Sequence, residues 1–583
     1  MMSRRHLWML ITAVCAIAAL KGAWHLWEVL SLEVRGAIDS DALLYFTVGR
    51  GILNGLTPWA DLFESKPPGM FLIAALSLIV TGDELLAIAM QIGVFLSIPA
   101  LLGIWTWHEA RGRERLERAT LTLLAAIMGI AVTLYLEEHA GGIQSESFGA
   151  FAGGVYAWLL LRWKNRVLRW KELCLLAMPV AAAVILKEPF LLPLLAVALL
   201  LAERPGRAAL SFAVPAGLAV AASFLLIAIA GWWDAYAHIY LPSMLGGRVY
   251  AGAADPVWVR GLSVGRVWGN LTWYYTAPLL GVLLAGSWLV SPVLDERRRP
   301  AARDILLTAG TCLAGYAVMR QGFLYALQFG VWRMGAQLRD PLPWDMPHAV
   351  YVVLAAAFAM LLFLMLRRGL LYKTIRACAA LYLSAAVVGI ASYSANHFAF
   401  AVPVYLAILM LFLSHAAGDA RSPWVFWPIT AAAVAGALVY VPSAEHRAAL
   451  QSRLQYSSSA LGERTRRLDS LLDACGIERF GALDTTLQTG VTKHSPLGPL
   501  LQRGFFKNVW PADHPLFQET HERVTRDARI LVTVRDEQDT WGMQPVIEQT
   551  FTRIPPACAA PHLPIDGIDV WFRAGAEFRP VIP

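Results

Sequence analysis

Charge is scarce in this 583-residue sequence: Asp, Glu, Lys and Arg together make up 16% of it, against 57% hydrophobic residues. Soluble domains carry roughly a quarter charged residues. An ordinary soluble enzyme is therefore excluded, and an integral membrane protein is expected. Cysteine is scarce as well. None of the six cysteines stands at metal-ligand spacing, and Cys15, Cys174, Cys312 and Cys378 fall inside apolar segments, where a small hydrophobe is their ordinary role. No nucleic-acid-binding motif occurs. The formal charge of +7 is dispersed in short loops between apolar runs, which is a topology signal and not a phosphate-binding stripe. A signal-peptide cleavage site is also lacking. The basic start MMSRR leads into a long apolar run with no small-residue cleavage motif before Lys21. That run reads as an uncleaved first span, with Arg4 and Arg5 keeping the N-terminus in the cytoplasm.

What is present is a succession of apolar segments. A spanning helix needs about 20 such residues. Spans are expected at about 7–31, 84–107, 119–136, 147–163, 208–231, 269–291, 305–324, 348–366, 377–394, 398–415 and 423–441. Two shorter apolar segments, 173–186 and 189–202, flank Lys187-Glu188-Pro189. Another, 70–82, is too short to span and reads as a juxtamembrane helix. The total is about thirteen spans. The basic loops 111–118, 162–171, 297–303 and 367–376 all fall on one side under this count, as the positive-inside bias requires. The chain beyond residue 441 is then placed on the other side.

The division expected is a transmembrane domain, 1–441, with its first outer loop at 32–83, and an outer domain, 442–583. The tail mixes a helical stretch, AEHRAALQSRLQYSSSALGERTRRLDSLLDACG, with strand-like ERFGALDT, ARILVTVRD and DVWFRAG, so a small α/β domain is expected. Its only cysteines, Cys475 and Cys558, would face an oxidising compartment and are the candidates for a disulfide.

One polar stretch interrupts the apolar N-terminal half, AIDSDALLYFTVGRGILNGLTPWADLFESKPPG, 37–69. It sets carboxylates at Asp39, Asp41, Asp61 and Glu64, and cations at Arg50 and Lys66, beside a membrane surface. With sides assigned, Glu137, Glu138, Glu146, Lys187, Glu188, Arg248 and His397 also fall near the outer ends of spans. Ionisable groups there are costly unless paired or facing a wet cavity, which makes them site candidates. Simpler readings stand beside this one. Asp61 serves equally as a turn residue, Glu137 and Glu138 as a solvated helix end, Glu188 as a counter-charge for Lys187, and His397 as a buried hydrogen-bonder.

The stretch DSDALLYFTVGRGILNGLTPWADLFESKPPG resembles the first outer loop of GT-C fold glycosyltransferases that use polyprenyl-phosphate-linked sugars. Protein O-mannosyltransferases and the aminoarabinose transferase acting on lipid A belong to that superfamily. The shared pattern is an acidic residue four before a Tyr, then a Gly, then Asp and Lys-Pro-Pro. Asp41 stands four before Tyr45, and Lys66-Pro67-Pro68 matches the second part. Where those families often carry Asp-Glu, this chain has Asp41-Ala42, which leaves Asp39 as a rival. Gln144-Ser145-Glu146 resembles the acidic start of the fourth span, Lys187-Glu188-Pro189 the Lys after the fifth, and His397 with Pro403 a late His…Pro element.

The resemblance implies Asp41, or Asp39, as the general base. It implies substrate binding by Tyr45, Asp61, Lys66, Glu146, Lys187 and His397, and Arg248 is a further candidate cation for the lipid phosphate by its place near an outer span end. It implies no cofactor; a divalent ion is left open, although no Asp-x-Asp element beyond Asp39-Ser40-Asp41 is present to bind one. The chemistry is consistent, because a carboxylate suits proton removal from an acceptor hydroxyl. A leaving lipid phosphate needs cations in a poorly hydrated site. The implied activity is inverting transfer of a sugar from a polyprenyl-phosphate donor to a glycan, lipid or protein, at the outer face of the cytoplasmic membrane. A transporter or flippase of a lipid-linked glycan shares the many spans and outer polar loops, and a binding protein with a degenerate site is the third alternative.

Overall fold

A backbone in lipid has to satisfy its own hydrogen bonds, so long apolar runs resolve into helices. The computed structural model describes residues 4–246 except 165 and 202–204, residues 356, 360, 363–364, 399–418, 434, 436–438 and 441–442, and residues 444–578 except 486–488, 502–513 and 536–541. Its N-terminal half contains α1 (Arg4–Val34), α2 (Ser40–Leu53), α3 (Gly69–Val80), α4 (Leu85–Glu109), α5 (Arg115–Ala140), α6 (Ser145–Arg162), α7 (Trp170–Leu186), α8 (Leu191–Leu201) and α9 (Pro205–Ile229). Among the described residues, four helices are long and apolar enough to cross a membrane: Arg5–Val34, Leu85–Gly112, Arg115–Glu138 and Gly206–Ile229. Their outward positions remain apolar, as at Leu10, Ile17, Leu20 and Trp24 of α1, which suits contact with lipid tails. The expected spans at 269–291, 305–324, 348–366, 377–394 and 423–441 lie outside the described residues, isolated positions apart.

The expected 398–415 span contains α10 (Val402–Gly418). It is nearly enclosed, and the indole of Trp105 on α4 donates to Met410 O at 3.2 Å and to Ser414 Oγ at 2.9 Å. Tyr156 of α6 similarly donates to Ser211 O of α9 at 2.9 Å. The helices alternate in direction, giving the bundle two unlike ends. One end gathers Arg111, Arg113, Arg115 and Arg118 between α4 and α5, and Arg162, Lys164, Arg166 and Arg169 between α6 and α7. The other end gathers α2, α3 and the turns between α5 and α6 and between α7 and α8.

The C-terminal part docks on this second end. It begins with α11 (Ala444–Arg453) and α12 (Ser458–Ala474). The Ser457 hydroxyl caps α12 by accepting from Ala460 N. A five-stranded sheet follows in the order β2-β1-β3-β5-β4, from β1 (Arg479–Leu483), β2 (Ser495–Leu497), β3 (Ile530–Val534), β4 (Phe551–Thr552) and β5 (Ile568–Arg573). Strand β1 runs parallel to β2 and β3, while β5 is antiparallel to β3 and β4. Helices α13 (Pro515–Asp527) and α14 (Gln544–Thr550) complete it. Leu468, Leu472, Phe480, Val532, Ile568 and Phe572 form its core. A disulfide joins Cys475, at the end of α12, to Cys558, with Cα atoms 5.3 Å apart. The docking contacts include Asn54 Nδ2 to Lys493 O and to Ser495 Oγ, both at 3.0 Å.

Candidate active site

Helix α2 begins at residue 40 because Asp39 caps it. Asp39 has an extended backbone (φ −81°, ψ 159°) and its carboxylate accepts the amide of Asp41 at 3.0 Å. Four residues make one helical turn, so Asp41 and Tyr45 share a face of α2. The chain then turns through Trp59, a fully buried residue at φ +66°. This left-handed conformation is costly for a bulky residue and is held by its surroundings. The Trp59 indole donates to Lys66 O at 3.2 Å, and its ring lies 5.0 Å from Tyr240 and 6.2 Å from Phe71. The segment carrying Lys66 is pinned by that bond.

Two glycines explain why distant stretches meet here. A Cβ on Gly69, the first residue of α3, would lie 2.6 Å from Ile185 O, so only glycine lets the Lys-Pro-Pro-Gly turn close on the end of α7. A Cβ on Gly149 would lie 2.2 Å from the ring of Phe190. Its absence lets the first turn of α6, with Glu146, pack on the Lys187-Glu188-Pro189-Phe190 turn.

The result is a cluster at the docked end of the bundle. Lys66 Nζ is 3.4 Å from Asp41 Oδ2, 3.4 Å from Glu64 Oε1 and 5.6 Å from the centre of the Tyr45 ring. These are long contacts for charge-assisted pairs, so the ammonium is shared between two carboxylates and not locked to one. Burial opposes its charge, but Asp41, Glu64 and Glu146 hold the Lys66 pKa well above the ordinary lysine value. Lys187 makes a hydrogen-bonded ion pair with Glu146, and its Nζ lies 5.5 Å from the Phe400 ring centre. The Tyr45 hydroxyl is buried beside this group with no hydrogen-bond partner. Such a group costs about 1–3 kcal/mol.

Exposure separates the carboxylates. The Asp41 side chain is 36% exposed, against 5% for Glu64 and 1% for Glu146. Of the three, Asp41 is the carboxylate most open to solvent. Asp39 is already engaged: its Oδ1 accepts from Ser40 and from the Asp41 amide, and its Oδ2 lies 3.9 Å from Arg453 Nε. Burial and the charge of Asp41 push the Asp39 carboxyl above the usual carboxylate range.

The structure thus brings together Asp41, Tyr45, Lys66, Glu146 and Lys187, with Asp39 behind them. Glu64, two residues before Lys66, joins them through its contact with the Lys66 ammonium. Asp61 is placed elsewhere. It closes its own turn, accepting from Thr57 N at 3.0 Å, and faces Arg523 at 3.3 Å and Arg479 at 3.8 Å in the C-terminal part. Glu188 accepts from the Tyr240 hydroxyl at 2.8 Å, whereas Lys187 pairs with Glu146. Glu137 departs from the solvated-end reading: it is fully buried and contacts His446 at 2.6 Å, while Glu138 is exposed. Arg248 and His397 lie outside the described residues. Among the described residues, no group of three or more His, Cys, Asp and Glu side chains has a metal-holding arrangement. Comparison with known proteins gives no match, whether to a protein-family model, to a curated protein or to a solved structure.

Proposed function

We propose that this chain is a membrane glycosyltransferase of the GT-C type, transferring a sugar from a polyprenyl-phosphate donor to a glycan, lipid or protein acceptor with inversion. One observation carries the reading. Two carboxylate–lysine groups from separated stretches, Asp41/Glu64/Lys66 and Glu146/Lys187, converge at one end of an apolar bundle, beneath an α/β domain. A lipid-linked substrate fits such a place, with its tail in the bilayer and its headgroup among the charges.

In this mechanism Asp41 takes the proton of the acceptor hydroxyl. The hydroxyl oxygen bonds to the anomeric carbon from the face opposite the phosphate. The carbon–oxygen bond to the phosphate breaks, and its electron pair stays on the phosphate oxygen. Lys66 and Lys187 stabilise that charge in a largely desolvated setting. Glu64 and Glu146 hold the two ammonium groups in place between turnovers, and the Tyr45 hydroxyl donates to a phosphate or sugar oxygen. In this reading the arginine-rich opposite end of the bundle faces the cytoplasm, as the positive-inside bias favours. The site and the C-terminal domain then face outward from the cytoplasmic membrane.

The test is reconstitution in vesicles with a polyprenyl-phosphate sugar labelled in the sugar. Appearance of label in a non-lipid or second-lipid product, with release of polyprenyl phosphate, is the expected result. Movement of intact labelled lipid across the bilayer without cleavage supports the transporter alternative instead.

A further inference from the structure

The helix that leads into the C-terminal domain is fastened to the bundle at both of its ends. Near the start of α11, His446 Nε2 lies 2.6 Å from Glu137 Oε2 of α5, and both side chains are buried. At its last residue, Arg453 points to the start of α2, with Nε 3.9 Å from Asp39 Oδ2; these side chains are 18% and 24% exposed. The Asp39 backbone is clamped from the membrane side. Its amide donates to Gly142 O at 2.8 Å, and the Gly142 amide donates to Glu33 Oε1 at 2.9 Å. Gln91 braces the same turn: its Nε2 donates to Glu33 Oε1 at 3.0 Å, and its Oε1 accepts from Gln144 N at 3.1 Å. Gly142 has φ +81°, and a Cβ there would lie 2.7 Å from Asp39 N, so this approach requires glycine. A Cβ on Gly141 would lie 2.9 Å from Arg453 Nη1, so the guanidinium rests directly on that turn.

We propose that Arg453 is a positioning residue for the transfer reaction: it fixes the Asp39 carboxylate against the first turn of α2, and through that cap it sets where Asp41 stands. The inference rests on the glycosyl-transfer reading and extends it. The C-terminal domain does more than cover the site, because its first helix completes the support of the base from outside the bundle. Asp39 Oδ1 accepts the Asp41 amide, so a carboxylate that swings or takes up a proton loosens the start of α2. The charged groups around Asp39 are Asp41 on α2 and Arg453 on α11. Glu33 on α1, Glu137 on α5 and His446 on α11 stand behind them. Asp41 and burial favour the protonated form of Asp39, while the Asp41 amide and Arg453 oppose it. Without the cation, protonation of Asp39 reaches to higher pH.

The experiment uses the full-length protein in lipid nanodiscs, as wild type and as Arg453→Gln, Arg453→Lys, Asp39→Asn and the double variant Asp39→Asn/Arg453→Gln. Two quantities are read: kcat/KM against pH with a polyprenyl-phosphate sugar donor, and Tm. Arg453→Gln should move the acid limb of the profile up by about one pH unit, and Arg453→Lys should return most of that shift. On the Asp39→Asn background, Arg453→Gln should change neither limb nor Tm, so the Tm effects of the two single changes should not add. A uniform fall in rate with an unmoved acid limb shows that Arg453 is merely structural and overturns the proposal. Additive Tm changes overturn the pairing itself. A folded wild type that transfers no sugar refutes the underlying reading and removes the positioning role with it. The Tm cycle would still report separately whether Asp39 and Arg453 are coupled.

Discussion

Glu146→Gln replaces a carboxylate by an amide of nearly the same shape, and its cost follows from where the pair lies. The Glu146 side chain is 1% exposed and that of Lys187 is 10% exposed, and they are in hydrogen-bond contact. A surface pair would contribute about 0–1 kcal/mol. A buried pair that loses one member leaves the other charge desolvated and uncompensated, which costs about 3–5 kcal/mol. The Ser145 hydroxyl, 2.7 Å from Glu146 Oε2, also loses its charged acceptor, which places the expected loss in that range and not below it. Thermal unfolding in detergent or nanodiscs should show Tm falling by about 5–10 °C. Lys187→Met alone should be similarly harmful. The double variant Glu146→Gln/Lys187→Met should recover much of the loss, because no unpaired charge remains. Additivity within about 0.5 kcal/mol would refute the claim that the two charges hold each other. Under the proposed mechanism the double variant should nevertheless stay inactive in sugar transfer, because Lys187 is one of the two cations that mechanism assigns to the lipid phosphate.

Asp61→Asn should weaken docking of the C-terminal part by about 1 kcal/mol, because its pairs with Arg523 and Arg479 are about a quarter exposed; limited proteolysis should cut faster between the two parts while donor-lipid binding is unchanged. Burial works against the charge on His446, but Glu137 holds its pKa above the ordinary value. The stabilisation from that pair is fully present below about pH 6.5 and is lost as pH rises through the raised value. His446→Gln should therefore lower Tm at pH 6 and have little effect at pH 9, and an equal effect at both would contradict the pairing. Reduction of the Cys475–Cys558 bridge should destabilise the C-terminal domain by about 2–4 kcal/mol, read as earlier unfolding of that domain by hydrogen exchange.

The parts of this architecture that were legible in the chain are those with a local signature. The apolar runs of α4, α5 and α9 read as helices because lipid leaves the backbone no other partner. β3 and β5 showed themselves as short runs rich in β-branched and aromatic residues, while β1 is a short apolar run around Phe480. Lys66-Pro67-Pro68, Glu146 and Lys187 stood out because each is a polar position beside an apolar run, before α3, at the start of α6 and just after α7, and the fold brings them to one end of the bundle through Gly69 and Gly149. Pairings across the chain leave no such trace. His446 and Glu137 are 309 positions apart, and Arg523 and Asp61 are 462 apart, so no periodicity links either pair. Asp39 and Asp41 were rivals because Ala42 stands where the resembled families carry a Glu after the Asp, and the sequence does not show which of the two carboxylates caps the helix. The observed cap assigns Asp39 to holding α2 and leaves Asp41 open to the site. Glu64 was obscured because it lies in an irregular stretch with bends at Ser65 and Lys66, where no periodicity says which side chain turns inward.

The central claim is that Asp41 acts as a base toward an acceptor while the lysines hold a lipid phosphate. Its most direct test compares Asp41→Asn with Lys66→Ala in one reconstituted assay that measures sugar transfer and donor-lipid binding. Asp41→Asn should lower transfer by about 10²-fold or more with donor binding retained, whereas Lys66→Ala should weaken donor binding as well as transfer. Full transfer activity in Asp41→Asn would contradict the account.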